Sequence, residues 1–222
     1  QRIAQEVRTS ENRIIMAEKM SVMAYLKNKY TCPQADMDEA WRTLMLAQHH
    51  DSWIVPYNGL NKQGTWADQI KRWTDSTNAI ADGIIGASMQ SFDNPIAQQK
   101  KVTQQQYIRV FNTLGTERKE TMNVLLPSES GYSDLDIYDW KGKEIGCFVE
   151  SEGEKIRLFF EADIPPFGYS TYCIKKKETG KRAVSGNEQV SKSEKVIRWI
   201  NRNTWLKMIC IRLFSTYRKE EL

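Results

Sequence analysis

Cysteine and histidine are scarce in this sequence, and their spacing excludes two common kinds of small protein. The four cysteines lie far apart and form no CxxC pair, which argues against a zinc knuckle and against a dense disulfide framework. We expect free, buried thiols instead, so the cysteines do not indicate a cellular compartment. The only two histidines stand side by side, as His49 and His50.

Long apolar runs are also missing. No stretch approaches the roughly 18 uninterrupted apolar residues of a transmembrane helix, so we expect no membrane partner. The first residues enter a helical pattern without an initiator Met or a signal peptide, which is typical of a processed or excised chain. With 40% hydrophobic and 27% charged residues, the composition is that of an ordinary globular protein.

Positive charge is concentrated near the end of the sequence. The net charge is +4, and residues 187–222, with eight Lys or Arg against four Glu, account for all of this excess. A basic segment can bind nucleic acid or an anionic surface, but solvated charge is its commoner meaning. Because the segment has no recognisable nucleic-acid motif, we expect no nucleic-acid partner.

Helical periodicity dominates the first hundred residues. Apolar residues recur at steps of three and four between residues 3 and 29, which predicts a first helix that ends before Pro33. Asp36 and Glu39 predict a capping box for a second helix, which carries its C-terminal end to the paired histidines. Thr65 is the expected cap of a third helix that ends near residue 92. The apolar stripe expected on this third helix consists of Trp66, Ile70, Trp73, Thr77, Ile80 and Ile84.

The periodicity changes after Pro95. Short strand-like runs, parted by Gly and Pro, predict an antiparallel β-sandwich or part of one. The expected strands cover residues 107–111, 121–126, 135–139, 146–150, 156–162 and 169–175.

The predicted fold class is therefore α+β, with an antiparallel three-helix bundle followed by a small antiparallel β-sandwich-like region. We expect the bundle over residues 1–98 and the β region over residues 99–180. Residues 181–222 form a basic tail that the pattern does not assign, although residues 206–214 fit a strand.

The two histidines and the aspartate after them are the candidate site. Neutral His is a common metal ligand, and Asp can accept hydrogen bonds from neighbouring sugar hydroxyls. However, adjacent side chains on a helix point about 100° apart, so both imidazoles would not easily face one metal. Taken alone, the pattern also fits a helix C-terminus whose His residues interact favourably with the helix dipole.

The segment Ala40–Asp51, which ends in Gln-His-His-Asp, resembles the helix and turn of glycoside hydrolase family 38, the α-mannosidases. The continuation Ser52–Gly59 departs from the Ala-Ile-Thr-Gly-Thr of many animal members and resembles a bacterial-type version. The resemblance covers residues 1 to about 175. Further segments that resemble the family, in the right order, are Ala17–Lys19, Val110–Leu114 with Glu117 and Arg118, and Ile164–Tyr172.

The resemblance implies a retaining exo-α-mannosidase that works through two carboxylates and a covalent glycosyl intermediate. It implies that His50 ligates a zinc ion, that Asp51 hydrogen-bonds the mannose held there, and that His49 has a supporting or structural role. Trp53 and Tyr57 flank this position and fit the lining of the sugar subsite, although packing at the end of the bundle explains them equally well.

The resemblance also implies what this chain does not carry. In the family, the nucleophile, the general acid and the remaining zinc ligands lie in a domain that would precede residue 1. We therefore predict no catalytic residue here, an incomplete zinc site and no activity for this piece alone. The expected partners are an α-mannoside glycan and the missing catalytic domain. A cytoplasmic and a periplasmic location both fit, and no oligomeric state is predicted. The alternative is a non-catalytic structural or carbohydrate-interaction module with mannosidase-like architecture.

Overall fold

The computed structural model describes residues 2–59, 64–93, 104–127, 135–153, 155–176 and 209–217. The chain divides into two compact units, residues 1–93 and 94–222. Helices make up the described part of the first unit and antiparallel strands that of the second, which confirms the predicted α+β class. The predicted domain boundaries at residues 98 and 180, and most of the predicted tail, lie outside the described residues.

The first unit contains three long helices and one short helix. The long helices are α1 (Arg2–Asn28), α2 (Gln34–Ala47) and α4 (Trp66–Gln90), and the short helix is α3 (His50–Ile54). Among the described helices, none has the length and apolar character that a membrane crossing requires.

Hydrogen bonds between the helices fix their directions. The Ser10 hydroxyl lies 3.5 Å from the Thr74 carbonyl, and the Ser21 and Ser88 hydroxyls are also 3.5 Å apart, so α1 and α4 run in the same direction. Helix α2 runs in the opposite direction. The Tyr30 side chain, just before α2, bonds to Ser88 near the end of α4, whereas Thr43, near the end of α2, contacts the earlier residue Thr77. Consecutive long helices are therefore antiparallel, as expected.

Hydroxyl groups occupy much of the contact between these helices. Thr43 Oγ1 and Thr77 Oγ1 lie 2.8 Å apart, and each also bonds to a carbonyl one turn earlier in its own helix. This local bonding lets a Ser or Thr side chain be buried in a helix without leaving its hydroxyl unsatisfied. The buried polar residues of this unit are Ser10, Ser21, Thr43, Ser52, Thr74, Thr77 and Ser88.

The predicted cap of α4 is confirmed. The Thr65 hydroxyl accepts a hydrogen bond from the Asp68 N–H at 3.2 Å, and the Asp68 carboxylate accepts one from the Thr65 N–H at 2.8 Å. Together these two bonds form a capping box. The backbone N–H and the hydroxyl of Thr65 stabilise the charged carboxylate and hold the pKa of Asp68 below its usual value.

The predicted cap of α2 is wrong. The helix begins at Gln34, with Pro33 at the N-cap position and no side-chain capping bond. The pyrrolidine ring fixes the φ angle of Pro33, which here is −71°, so the helix can start directly after it. Asp36 lies inside the first turn, where its negative charge interacts favourably with the helix dipole. Glu39 forms an ion pair with Arg42 and does not cap the helix.

The predicted stripe of α4 is correct for Ile70, Thr77 and Ile84, which are buried, whereas Ile80 is only half-buried. Trp66 and Trp73, which we expected in the buried core, are also half-buried. Small side chains such as Thr74 and Ala81 occupy the centre of the contact, which leaves the large rings at its edge. The residues buried on α4 are Ile70, Thr74, Thr77, Ala81, Ile84, Ile85 and Ser88.

The described part of the second unit contains two antiparallel sheets. The strands are β1 (Gln104–Asn112), β2 (Arg118–Pro127), β3 (Leu135–Tyr138), β4 (Glu144–Ile145), β5 (Cys147–Glu152), β6 (Lys155–Ile164), β7 (Gly168–Lys176) and β8 (Ile209–Tyr217). One sheet has the strand order β4-β3-β7-β1-β8 and the other the order β2-β6-β5. Each expected strand has a counterpart, and β8 overlaps the stretch of the unassigned tail that fitted a strand.

Alternating side chains from both sheets form the core of this unit. In β6, for example, Leu158, Phe160 and Ala162 point inward, and the Phe160 ring packs edge-on against Tyr172 of the other sheet with ring centres 5.0 Å apart. The two sheets therefore pack face to face, as in a β-sandwich. Asn112, fully buried at the end of β1, donates to the carbonyls of Thr116 and Pro165 and so ties two turns together.

The capping box gives a first test of the helical unit. We expect Thr65→Ala to lower the free energy of unfolding by about 1 kcal/mol, because the Asp68 N–H loses its side-chain acceptor. Urea denaturation followed by circular dichroism measures the change. Thr9→Ala is the matched control, since the exposed Thr9 hydroxyl bonds to a carbonyl within α1. We expect a change below about 0.5 kcal/mol for the control, and equal losses in the two variants would contradict the capping role.

The same box predicts a pH dependence. Because the folded-state pKa of Asp68 is lowered, its carboxylate stabilises the fold above the pKa of the unfolded chain, about 3.9. This contribution is lost as the pH falls through the folded-state pKa. The stability difference between the wild type and Asp68→Asn should therefore be largest near neutral pH and shrink in strong acid. Parallel urea titrations at several pH values measure it, and a difference that grows on acidification would disprove the assignment.

Candidate functional site

The chain breaks its helix at the candidate site. Helix α2 ends at Ala47, before the histidines and not at them as predicted, and its last turn tightens as the His49 N–H bonds to the Leu46 carbonyl at 3.2 Å. His49 is extended, with φ −63° and ψ 121°, and precedes α3. His50 and Asp51 therefore lie in the first turn of a new short helix.

This break brings together side chains that a continuous helix would separate. The imidazoles of His49 and His50 stack with ring centres 5.1 Å apart and planes inclined by 18°. His50 Nε2 lies 3.0 Å from one carboxylate oxygen of Asp51, and His49 Nδ1 lies 3.8 Å from the other. The predicted 100° separation does not apply, because His49 lies outside the helix that holds His50 and Asp51.

All three side chains are open to solvent. The exposed fractions are 57% for His49, 79% for His50 and 69% for Asp51. Side chains this exposed are accessible to a ligand and remain hydrated in the folded chain. Because water weakens their interactions with a ligand, a ligand bound here would need further contacts to bind tightly.

The segment around the site is fastened at its far end to α4. The first N–H groups of a helix have no partner inside it, and here Ala67 N–H bonds to the Pro56 carbonyl at 2.8 Å and Trp66 N–H to the Asn58 carbonyl at 3.2 Å. The start of α4 therefore holds the chain that leaves α3. The site is exposed, but its backbone is anchored.

The two aromatic residues named on sequence grounds differ in their surroundings. Trp53 is 37% exposed and donates its indole N–H to the Ala47 carbonyl at 2.7 Å. Tyr57 is 84% exposed. Of the two, Tyr57 presents the larger free surface to a ligand.

Exposed apolar side chains are concentrated in the part of the sequence that contains the site, which the sequence pattern did not reveal. Of the eleven large hydrophobic residues exposed in the described chain, five lie between residues 45 and 57. They are Met45, Trp53, Ile54, Val55 and Tyr57. Apolar surface concentrated beside polar groups is typical of an interaction site. Sequence periodicity could not reveal it, because exposure depends on where α2 ends.

A second feature missed by sequence reasoning links α1 to α2. The Trp41 indole N–H donates to the Glu18 carboxylate at 2.7 Å. Both residues lie in segments that resemble the mannosidase family. A half-buried indole N–H generally finds an acceptor, so Trp41 was a signal that some partner would be needed, although its identity depends on the fold.

The residues present do not by themselves fit a zinc ion. A structural zinc site has four protein ligands and a catalytic one about three. His50 Nε2 and Asp51 Oδ1 are close enough to share one cation, but they supply two ligands at most. Within the described part of the chain, no group of three or more His, Cys, Asp or Glu is placed to hold a metal ion.

Two solved structures with a similar fold come from glycoside hydrolases of Enterococcus faecalis. A protein of glycosyl hydrolase family 38 from Enterococcus faecalis matches with a TM-score of 0.52 and 15% identity over 83% of this chain. An α-mannosidase from Enterococcus faecalis V583 matches with a TM-score of 0.50 and 17% identity, also over 83% of this chain. No protein-family model matches the sequence. No curated protein matches it either.

These matches show that the chain has a fold like that found in family 38 α-mannosidases. It spans only 26% of the first solved chain and 24% of the second. At this identity the similarity concerns the fold and does not by itself assign an activity or a site residue.

The two-ligand geometry predicts weak metal binding. We expect the chain to bind zinc with a free energy well short of the ~10 kcal/mol reached by structural sites, and His50→Ala to abolish that binding. Isothermal titration calorimetry measures both, with Asp75→Asn as the control, since this exposed carboxylate pairs with Lys71 on α4 and leaves the His50–Asp51 pair intact. Tight, stoichiometric binding that survives His50→Ala would place the metal elsewhere.

Proposed function

We propose that this chain is part of a larger, zinc-dependent α-mannosidase of the retaining type, to which it contributes His50 and Asp51. The observation that carries the proposal is the exposed His50–Asp51 pair, with 3.0 Å between Nε2 and Oδ1, on a fold similar to that of solved family 38 proteins. The chain alone is then inactive, because the reaction needs two carboxylates and further metal ligands from elsewhere.

The surroundings of the pair support a shared site. A functional pair that is more than two-thirds exposed cannot exclude water, and glycoside hydrolysis requires an enclosed cleft that orients the sugar. Exposed apolar side chains such as Ile54 and Met45 lie beside the pair in the sequence. Covering them with another part of a larger protein would remove both this apolar surface and the site itself from water.

Each side chain has a role that its chemistry allows. The neutral His50 imidazole would donate a nitrogen lone pair to a zinc ion held mainly by other residues, and that ion would supply charge stabilisation at the sugar hydroxyls. The two oxygens of Asp51 would accept hydrogen bonds from neighbouring mannose hydroxyls. Tyr57 would pack its exposed ring against the apolar face of the sugar, and His49 would keep His50 in place by stacking.

Activity of the full-length natural protein tests the proposal. On an aryl α-mannoside, we expect His50→Ala and Asp51→Asn each to lower kcat/KM by about 100-fold or more, as for loss of a metal ligand or of a close partner. Removal of zinc by a chelator should have a similar effect, reversed on re-addition. Asp75→Asn is the matched control, since this exposed carboxylate pairs with Lys71 on α4.

Two outcomes would contradict the proposal. Full activity in both site variants would show that His50 and Asp51 take no part. A full-length protein that binds α-mannosides in calorimetry without hydrolysing them would favour the alternative, a carbohydrate-interaction module with mannosidase-like architecture.

A further inference from the structure

We propose that Trp53 and Ser52 are positioning residues, which bond to the backbone on both sides of His49 and thereby set the direction of the His50 and Asp51 side chains. The inference deepens the proposed function and rests on it for its consequence in catalysis. It also gives Trp53 a different role from the sugar-lining one expected from the sequence.

Trp53 holds the end of α2. The Ala47 carbonyl lies in the last turn of the helix, where carbonyl groups lack a partner within the helix. The indole N–H, which can only donate, bonds to it at 2.7 Å. The bond joins residues six positions apart and so spans the whole break between α2 and α3. It links the end of α2 directly to α3.

Ser52 holds the start of α3. Its hydroxyl, on a side chain only 2% exposed, donates to the His49 carbonyl at 2.7 Å. That carbonyl belongs to the peptide group whose nitrogen is His50 N. The orientation of this peptide group determines the direction in which the His50 side chain leaves the backbone.

The two bonds act on consecutive parts of the backbone. Trp53 fixes the peptide group between residues 47 and 48, and Ser52 fixes the one between residues 49 and 50. The torsions of Gln48 and His49 lie between these two fixed groups, so they have little freedom. Because the side chains of residues 49–51 are largely exposed and receive little support from packing, backbone restraint is the main way to preorganise them.

The environment of Trp53 favours this role over sugar stacking. One edge of its ring is engaged by the backbone and it is 37% exposed, whereas Tyr57 is 84% exposed. The two roles depend on different parts of the indole. Stacking needs an aromatic face, which Phe retains, but positioning needs the N–H, which Phe lacks.

Substitutions in the present chain test the positioning role without reference to activity. We compare Trp53→Phe, Trp53→Ala and Ser52→Ala with Trp73→Phe, a half-buried tryptophan of α4 used as a matched control. Amide hydrogen exchange by NMR reports on two backbone N–H groups. The Val55 N–H bonds to the Asp51 carbonyl within α3, and the Asn58 N–H bonds to the Val55 carbonyl in the turn after it. The imidazole resonances of His49 and His50 report on their stacking.

We expect about fivefold faster exchange at Val55 in Trp53→Phe, Trp53→Ala and Ser52→Ala, the effect of losing one hydrogen bond of about 1 kcal/mol. The His50 resonances should shift in the same three variants and stay unchanged in Trp73→Phe. Wild-type exchange and wild-type His50 resonances in Trp53→Phe would overturn the proposal, even if Trp53→Ala were disturbed.

The full-length protein then provides a separate readout. With positioning, Trp53→Phe lowers kcat/KM about as much as Trp53→Ala, mostly through kcat, at a nearly unchanged melting temperature. With stacking on the sugar, Trp53→Phe keeps the wild-type KM, and this result would reject the positioning role in catalysis. If the full-length protein hydrolyses no α-mannoside at all, the proposed function fails, while the exchange and resonance data still decide whether the bonds position His50 and Asp51.

Discussion

Peptide groups left without partners at two helix ends determine the arrangement of the candidate site. The carbonyl of Ala47 at the end of α2 and the first N–H groups of α4 must find partners outside their own helices. The short stretch between these helices satisfies both, through the Trp53 indole on one side and the carbonyls of Pro56 and Asn58 on the other. An exposed segment with no core of its own thus acquires one conformation, and the paired histidines and Asp51 lie within it.

Local signals in the sequence predicted the features that depend on local physics. Short strand-like runs between Gly and Pro residues marked the strands, because these two residue types favour the turns that connect strands. Thr65 marked the start of α4, because the capping bond between its hydroxyl and the Asp68 N–H spans only three residues. The His-His-Asp run was singled out because it combines the only two histidines with a resemblance to a known family.

Features that depend on distant parts of the chain were missed or wrong. The predicted end of α2, at the paired histidines, lies two to three residues too late, since no residue type at position 48 signals a stop and the Trp53 indole bonds to the Ala47 carbonyl at the actual end. The burial of Trp66 and Trp73 was overestimated, because helix spacing is set by small residues on the facing helices. Strand β8 falls within the tail that the sequence pattern does not assign, because its partner, β1, lies about a hundred residues earlier.

The hydroxyl groups between the helices have a consequence for how uniquely the bundle packs. Aliphatic side chains attract one another at many relative offsets, whereas the contact between the Thr43 and Thr77 hydroxyls, 2.8 Å apart, is lost if α2 slides along α4 by even one residue. Replacing these groups with Val or Ala would leave the hydrophobic attraction while removing the preference for one offset. The hydroxyl contacts thus replace some hydrophobic packing but fix a single alignment of α2 against α4. Because the site follows the end of α2, its position in the bundle is fixed as well.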